Sequence, residues 1–512
     1  MADSKPAGRT MTRSGRGGEA RDRQAAAPRL SRRAVLPTLA VVPAAAATLA
    51  LGNAVPAASL LGVETAVAQE TARAAKRNRV ARADRWRLIP GATVQVTGSG
   101  FTPGGKGRLL WQANSAAQRS LGRLRADQRG RVAATVRIPD TAAGSQKIAL
   151  RIGKRAANVK VTVEKPGGNP LAFGVFEKSG GNEAPWHDAP LVQLQRAIGR
   201  DPEIVMWYQG WGANGDGKNL DLSMLDRVSV RGAIPMITWE PWVPNGRVDQ
   251  PQYKLSVIAG STYDTYVRSW ASQLAAWGKP VLLRFAHEMN GTWYPWAAGK
   301  NGNSAADYVE AWQHLRSVFD EENANNVGWV WSPNVHVDGF TDMADLYPGD
   351  EYVDWIGLDG YNWGNWNGHR WQSFSGVFGP SIAKVRSFAA GKPLMIAETA
   401  SGSDGGDKAA WIRSAFFSEI PIDFPEIRAV VWFDENKEKV GERPWRYDTD
   451  TGSAKAFRAA ANHPHYRAAL SSGDVVTASG ARKASRDDGG TDRTRERGRD
   501  RPRKRRKRRN KR

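Results

Sequence analysis

The middle of the chain reads Val281-Leu-Leu-Arg-Phe-Ala-His-Glu-Met-Asn-Gly-Thr-Trp-Tyr-Pro-Trp296. Its first five residues form a largely apolar run with the length of a buried strand. A His-Glu pair follows at once, and three large aromatic residues come after the pair. This order is typical of a strand that ends at the lip of a groove, where a carboxyl group lies between flat aromatic side chains. Glu288 alone could also be a solvated carboxylate at a strand end, so the rest of the chain decides its role.

Apolar runs of similar length recur from residue 171 to residue 433 and alternate with helical patterns. In the clearest of these, Asp264–Trp277, large apolar residues recur every three to four positions, with Asp264 as a candidate N-cap and Gly278 as a candidate helix end. Strands that alternate with helices in this way predict an α/β protein with a (β/α)8 TIM barrel at residues 168–468. The eight predicted strands are Leu171–Phe176, Ile204–Trp207, Ala233–Thr238, Val281–Phe285, Val327–Trp331, Val353–Leu358, Pro393–Ala397 and Ala429–Phe433. The other predicted helices are Ala305–Phe319, Phe374–Phe388, Lys408–Glu419 and Ala454–Leu470.

Polar and aromatic residues follow most of these strands, where a TIM barrel places its chemistry. Glu288 follows the fourth strand and Glu398 ends the seventh, so we expect both carboxyl groups at the same end of the barrel. By strand alternation Arg284, Ala286 and Glu288 are predicted to share one face. Two carboxyl groups that flank one bond are what hydrolysis of a glycosidic bond requires.

Charge is distributed unevenly along the chain. The net charge is +23, yet residues 166–480 carry 27 Lys/Arg against 37 Asp/Glu, whereas residues 70–165 carry 21 against five and residues 481–512 carry 17 against five. An acidic body between basic regions gives no reason to expect nucleic-acid binding. The chain has no cysteine, which excludes disulfides, thiolate metal sites and cysteine nucleophiles.

The N-terminal region has the three parts of an export signal. Ser31-Arg-Arg-Ala-Val-Leu36 is followed by a small-residue apolar run and then by Ala66-Val-Ala68. We therefore predict a twin-arginine-type signal at residues 1–68 and an exported protein, extracellular or associated with the cell wall. A membrane anchor is the alternative, and Pro37 and Pro43 disfavour it.

Residues 69–85 are predicted to be a linker, and residues 86–165 a small all-β sandwich. Gly98-Ser-Gly-Phe-Thr-Pro103 resembles a signature of the immunoglobulin-like modules of exported bacterial enzymes. The strands expected there are Ala92–Thr97, Arg131–Arg137, Lys147–Ile152 and Val159–Val163. Residues 471–512 are predicted to be a disordered polybasic tail. The basic regions are either solvated surfaces or contacts with an anionic cell wall or membrane surface.

The barrel region resembles glycoside hydrolase family 26, a family of β-mannanases and mixed-linkage β-glucanases in the retaining clan A. The resemblance covers roughly residues 170–468. It is carried by His287-Glu-Met-Asn-Gly291, Trp293-Tyr-Pro-Trp296, Asp354-Trp-Ile-Gly-Leu-Asp-Gly-Tyr-Asn-Trp363, Lys392-Pro-Leu-Met-Ile-Ala-Glu398, Val431-Trp-Phe433 and Trp445-Arg-Tyr447.

The resemblance implies that Glu288 is the acid/base and Glu398 the nucleophile of a retaining hydrolysis. Arg284 and Tyr361 are expected among the substrate-binding residues. Tyr361 is also expected to donate a hydrogen bond to Glu398, and Arg284 to favour the charge on Glu398. The remaining residues expected to bind substrate or to orient it are His287, Asn290, Trp293, Tyr294, Trp296 and Trp432. No metal or cofactor is required, and a monomer is expected.

The resemblance implies that the substrate is a β-linked polysaccharide. Phe285-Ala286 and Tyr294-Pro-Trp296 resemble the mixed-linkage β-1,3-1,4-glucanase branch of the family more than the β-1,4-mannanases. An endo-β-1,4-mannanase and a non-catalytic, cell-surface glycan-binding protein remain as alternatives.

Overall fold

The computed structural model describes residues 80–112, 114–178, 183–212, 219–244 and 247–477. The predicted export signal, residues 69–79 of the predicted linker and residues 478–512 of the predicted tail lie outside the described residues. In the described ranges, no helix is both long enough and apolar enough to cross a bilayer.

An all-β sandwich begins the described part of the chain. One sheet has the order β1-β3-β6 and the other β2-β8-β7-β4-β5, with Val94, Leu109, Ile148 and Val161 completely or almost completely buried in the core. The strands are β1 (Val80–Ala83), β2 (Arg87–Leu88), β3 (Thr93–Ser99), β4 (Lys106–Trp111), β5 (Arg119–Arg125), β6 (Val132–Arg137), β7 (Gly144–Ile152) and β8 (Arg155–Val163).

The four strands predicted for the sandwich are present as β3, β6, β7 and β8. Four others were not predicted, because β1 and β2 are very short and β4 and β5 are rich in glycine and arginine. Strand β1 lies in the predicted linker and pairs with β3, with Val80 opposite Ser99. The predicted boundary at residue 86 is therefore wrong by at least six residues.

A closed barrel of parallel strands follows in the described residues, and each strand pairs with the next before β16 returns to β9. All eight predicted strands are confirmed, with ends that differ by up to four residues. They are β9 (Ala172–Glu177), β10 (Ile204–Gly210), β11 (Ile234–Glu240), β12 (Val281–Phe285), β13 (Val327–Trp331), β14 (Trp355–Asn362), β15 (Leu394–Ser401) and β16 (Ile427–Asp434).

Helices cover the outside of the barrel. Helix α4 has its predicted bounds, although Tyr263 rather than Asp264 is its N-cap; Gly278 ends it in the left-handed region, with φ of 72°. The helices are α1 (Asp188–Ile198), α2 (Leu222–Ser229), α3 (Leu255–Ala259), α4 (Asp264–Trp277), α5 (Ala305–Glu321), α6 (Phe374–Arg386), α7 (Lys408–Ser414), α8 (Thr451–Ala461) and α9 (Ser472–Val475). A π-helix, Ala415–Asp423, continues α7, and short 3-10 turns occur at Pro251–Tyr253, Met343–Leu346, Glu438–Val440 and Pro464–Tyr466.

The last described residues pack against the barrel instead of forming a disordered tail. Val475 is completely buried, and its carbonyl oxygen lies so close to Gly328 that a side chain there would collide with it. Trp355 Nε1 donates to Asp474 O at 3.0 Å, and Thr477 N donates to Asp354 Oδ1 at 2.6 Å. The predicted start of the tail at residue 471 is therefore too early. The polar composition of this segment gave no sign that Val475 is buried against the barrel.

The sandwich is joined to the barrel on the helices that follow β15. Arg413 Nε donates to Asp84 Oδ2 at 2.7 Å, and both side chains are largely buried. Arg85 Nη2 donates to Ala410 O at 2.7 Å, and Ile89 N donates to Phe417 O at 3.0 Å. The sandwich therefore contacts the elements that come directly after the strand bearing Glu398.

Replacing Asp84 by Ala should lower the free energy of unfolding by about 3–5 kcal/mol, because Arg413 would remain buried without its anion. The control is Asp140→Ala, which breaks a pair with Arg137 whose side chains are 63% and 57% exposed. That change should stay within about 0.5 kcal/mol. Urea unfolding of the three proteins gives the comparison. Equal losses in the two variants would contradict a special role for the joint.

Candidate active site

The two predicted carboxyl groups lie in one site at the C-terminal end of the barrel strands. Glu398 lies on β15, opposite Asp359 of β14, and a shift in strand register just before this pair interrupts the regular alternation of side chains. Glu288 follows β12, and the charge of Glu398 acts on its carboxyl group. The expectation that the fourth and seventh strands bring these groups together is therefore met.

The backbone turns sharply between β12 and Glu288. Ala286 and Glu288 have φ of 44° and 52°, in the left-handed region that residues with a side chain rarely adopt. Ala286 N donates to Trp239 O at 3.1 Å and Glu288 N to Ser332 O at 2.7 Å, so the segment is held by both neighbouring strand ends. The predicted alternation from Arg284 to Glu288 is therefore wrong, since the strand ends at Phe285. Strained conformations of this kind cluster at functional sites.

Glu398 is surrounded by hydrogen-bond donors. Its Oε1 accepts from Tyr208 Oη at 2.6 Å and from Arg284 Nη2. Its Oε2 accepts from Tyr361 Oη at 2.5 Å, which is the hydrogen bond expected from the sequence. The side chain is only 5% exposed. Three donors, one of them a cation, therefore fix the position of both oxygens of the Glu398 carboxyl group.

Arg284 is completely buried and forms hydrogen bonds to three other strands. It lies below the C-terminal opening of the barrel, which we call the mouth. Its Nη1 donates to Asp359 Oδ1 at 2.9 Å and its Nε to Thr238 Oγ1 at 2.9 Å. Burial opposes its charge, but Asp359 and Glu398 hold the pKa of Arg284 well above its usual range. The prediction that Arg284 favours charge on Glu398 is consistent with this geometry. Its assignment to substrate binding is wrong, because no part of the side chain is accessible.

Glu288 has a different environment. Its Oε1 accepts from Asn334 Nδ2 and its Oε2 from Trp293 Nε1, each at 2.7 Å. Burial and the charge of Glu398 raise the pKa of Glu288 to about 7, against the opposing effect of these two hydrogen bonds. Glu288 therefore holds its proton in acidic and near-neutral solution.

Asn290 positions the donor to Glu288. Its Nδ2 donates to Asn334 O at 2.9 Å, and its Oδ1 accepts from Asn334 N at 2.8 Å. Asn290 is 1% exposed. Its predicted contact with substrate is therefore wrong, and its amide instead holds the segment that carries Asn334.

Aromatic residues form a wall beside the carboxyl pair. Trp293 is 38% exposed, so a face of its indole remains open next to Glu288. Tyr294 is half-buried and stacks on Trp296 with ring centroids 4.3 Å apart. Trp296 is completely buried and its Nε1 donates to His287 O at 2.6 Å. Trp296 therefore supports Tyr294 from behind, and the prediction that it contacts substrate is wrong.

His287 lies within this wall, with its ring centroid 4.8 Å from that of Tyr294 and 5.7 Å from that of Tyr208. It is 1% exposed, and its Nδ1 has no hydrogen-bond partner among the described residues. Burial and the nearby charge of Arg284 lower the pKa of His287 far below its usual value. The imidazole is therefore neutral, which suits a positioning role better than proton transfer.

Trp432 points away from the site. It is completely buried, and its ring packs against Phe457 of α8, with centroids 5.2 Å apart. The next residue, Phe433, faces the mouth instead, with centroids 4.8 Å from Phe176 and 5.8 Å from Tyr361. The prediction that Trp432 contacts substrate is therefore wrong. Successive side chains of a strand point to opposite faces, and it is Phe433 that faces the site.

Three further residues of the site were not predicted. Tyr208 lies one residue beyond the predicted end of its strand, which in fact extends to Gly210. Asn334 follows the fifth strand and was given no role. Glu240 is 5% exposed, its Oε2 accepts from Trp242 Nε1 at 3.1 Å, and burial raises its pKa to about 8. Glu240 could have been predicted as a site residue, because it is an acidic residue at the end of the third strand.

Comparison with known proteins finds similarity to one family and to several of its described members. Residues 234–414 match the family described as Glycosyl hydrolase family 26. Endoglucanase H of Acetivibrio thermocellus is 36% identical over 283 residues, which cover 53% of this chain and 29% of that protein. A mannan endo-1,4-beta-mannosidase of Bacillus subtilis is 27% identical over 270 residues, which cover 48% of this chain and 69% of that protein. A solved GH26 β-mannanase from Bacteroides ovatus aligns over 60% of this chain and 93% of its own, with 18% identity and a TM-score of 0.43.

The described residues form a closed (β/α)8 barrel with a carboxyl pair at the ends of its fourth and seventh strands, an arrangement compatible with the TIM-barrel glycoside hydrolases. The match at residues 234–414 and these relatives support a similarity of the barrel to glycoside hydrolase family 26. The chain spans under a third of the length of Endoglucanase H, the first of the relatives above.

Replacing Asn334 by Ala should raise the pKa of Glu288 above about 7, because the lost hydrogen bond stabilises the ionised form. Titration of the Glu288 carboxyl resonance by 13C NMR, assigned by difference from Glu288→Gln, measures the shift. The control Asn325→Ala removes an exposed amide outside the site. An unchanged or lower pKa in Asn334→Ala would contradict the assigned hydrogen bond.

Proposed function

We propose that the barrel is a retaining endo-β-glycanase, in which Glu398 is the nucleophile and Glu288 the general acid and base. The observation that carries the proposal is the difference between the two carboxyl environments. Glu398 accepts hydrogen bonds from Arg284, Tyr208 and Tyr361, whereas burial and a neighbouring charge raise the pKa of Glu288 to about 7. Two carboxyl groups whose environments differ in this way can divide acid and nucleophile roles between them.

In the first step a Glu398 oxygen attacks the anomeric carbon, and the bond from that carbon to the glycosidic oxygen breaks. The proton of Glu288 moves to the departing oxygen, which leaves as a hydroxyl group. The products are a glycosyl ester on Glu398 and an ionised Glu288. Arg284 and Tyr208 hold the attacking carboxylate in place, and Trp293 and Asn334 stabilise the charge that appears on Glu288.

The second step reverses the roles. Esterification removes the negative charge of Glu398, which is one of the causes that raise the pKa of Glu288. The pKa of Glu288 therefore falls when the carboxylate must act as a base. Glu288 takes a proton from water, the water oxygen bonds to the anomeric carbon, and the ester bond to Glu398 breaks. The sugar is released with its original β configuration.

The exposed aromatic faces supply the binding surface in this proposal. Trp293 offers an open indole face directly beside Glu288, and Tyr294 offers a ring that is fixed from behind by Trp296. Flat apolar rings of this kind suit the faces of pyranose sugars. Glu240, protonated up to pH about 8, is placed in the same group of residues and can donate to a sugar hydroxyl.

For the substrate we propose mixed-linkage β-1,3-1,4-glucan. The support is the Phe285-Ala286 and Tyr294-Pro-Trp296 pattern, together with 36% identity to an endoglucanase. β-1,4-Mannan is the second candidate, favoured by several relatives that are mannan endo-1,4-beta-mannosidases. Export through a twin-arginine-type signal at residues 1–68 completes the proposal, since such polymers lie outside the cell.

Replacing Glu398 or Glu288 by Ala should lower kcat on a soluble β-glycan by about 10²–10⁴-fold or more. Azide should restore turnover of Glu398→Ala with an α-glycosyl azide product and of Glu288→Ala with a β-glycosyl azide product, as identified by NMR. The control is Glu310→Ala, an exposed carboxylate on α5, which should keep its activity. Near-normal rates in either active-site variant would refute the mechanism and favour a non-catalytic glycan-binding barrel.

The substrate proposal predicts the highest kcat/KM on mixed-linkage β-glucan, compared with glucomannan, galactomannan and β-1,3-xylan. Reducing-end assays with chromatography of the products give both rate and cleavage pattern. A clear preference for galactomannan or glucomannan would replace the glucanase proposal with the mannanase one, while leaving the roles of Glu288 and Glu398 unchanged.

A further inference from the structure

One face of the larger sandwich sheet is covered by basic side chains. Strand register places Lys106 opposite Arg125, Lys147 opposite Lys160, and Arg108 between Arg123 and Arg151. Leu110 and Ala149 pack against each other on this face, separately from the main core. This face therefore points away from the core. We call it the basic face, and among the described residues it comprises Lys106, Arg108, Arg123, Arg125, Lys147, Arg151 and Lys160.

The protein's own acidic residues do not neutralise the basic face. Residues 80–165 contain 17 Lys/Arg and only four Asp/Glu. Each of those four acids forms an ion pair with a cation that is not one of these seven. The pairs are Asp84 with Arg413, Asp127 with Arg131, Asp140 with Arg137, and Glu164 with Arg87.

The arrangement also places like charges directly opposite one another. Arg108 has an arginine across the sheet on both sides, and Lys147 faces Lys160. Such pairs destabilise a sheet when no anion separates them. Neighbouring strands are about 4.8 Å apart, so Arg123, Arg108 and Arg151 form a row of cations across three strands. A flat surface with cations in rows suits an extended polymer with regularly spaced anions.

The side chains of the basic face limit which class of anionic polymer it can bind. Its described residues include no aromatic side chain on which a base could stack, which disfavours single-stranded nucleic acid. Leu110 and Ala149 are only 6% and 1% exposed, so no apolar side chain is available to enter a bilayer. Four of its seven cations are arginines, whose planar guanidinium groups bind carboxylates through two parallel hydrogen bonds.

We propose that the basic face binds an acidic polysaccharide through its carboxylate groups. The barrel cannot do this by charge, since residues 166–480 carry ten more acidic than basic residues. A second contact on the same chain raises the effective concentration of the barrel at a mixed polysaccharide surface. The face thus acts as an anchoring site, separate from the carboxyl pair that cleaves a neutral glycan.

Binding of the full-length protein to polygalacturonate, measured by calorimetry at about 150 mM salt, tests the proposal. The triple variant Arg108→Gln, Arg123→Gln, Arg151→Gln should bind at least tenfold more weakly. The matched control changes three exposed cations of the sandwich off the face: Arg82→Gln, Arg129→Gln and Lys154→Gln. With the same net charge, it should bind within twofold of the parent.

Hydrolysis of a soluble neutral β-glucan should be unchanged in both triple variants, so loss of anchoring can be told apart from failure of the proposed catalytic function. A second variant, Lys147→Gln with Lys160→Gln, should also weaken binding. It tests the basic face independently if the first triple variant fails to fold. Equal weakening in face and control variants, or no binding by the parent, would overturn the proposal. Tighter binding of duplex DNA or phosphatidylserine vesicles through the same residues would overturn it too.

Discussion

The buried guanidinium of Arg284 is the group on which the rest of the site depends. It donates to Thr238 of β11, to Asp359 of β14 and to Glu398 of β15, while it lies on β12 itself. A buried charge without partners is strongly destabilising, so these strands must keep the register that brings the partners together. The same contacts aim the Glu398 carboxylate at the mouth. One interaction therefore couples the stability of the barrel to the placement of its nucleophile.

The backbone turn after β12 gives Glu288 a different environment from that of Glu398. Glu288 does not lie on the strand with Arg284, because the strand ends at Phe285 and both Ala286 and Glu288 adopt the left-handed region. That turn brings it to Trp293 and Asn334, away from the direct reach of the guanidinium. Burial then raises its pKa to about 7, while Glu398 keeps a cationic partner. The strained backbone thus gives two like residues different hydrogen-bond partners.

Much of the fold could be predicted from sequence, and the misses have physical causes. The eight barrel strands are buried on both sides and read as apolar runs, whereas β4 and β5 of the sandwich expose arginines and carry no such signal. Glu288, Glu398 and Tyr361 could be found because their positions follow from the strand ends. Arg284, Asn290, Trp296 and Trp432 were assigned to substrate because the family resemblance implied contact, but burial and strand alternation decide which side chains reach the mouth. Tyr208 and Phe433 were missed because the sequence pattern gave neither the exact end of the strand that carries Tyr208 nor the side of the strand on which Phe433 lies.

The central claim is that Glu398 forms a covalent intermediate and Glu288 supplies and then recovers a proton. The most direct measurement is the anomeric configuration of the first product, followed by 1H NMR in the opening minutes of hydrolysis before mutarotation. The account predicts that the β-anomer appears first and the α-anomer only later, as equilibrium is approached. Initial appearance of the α-anomer would mean a single inverting displacement by water and would contradict the role given to Glu398.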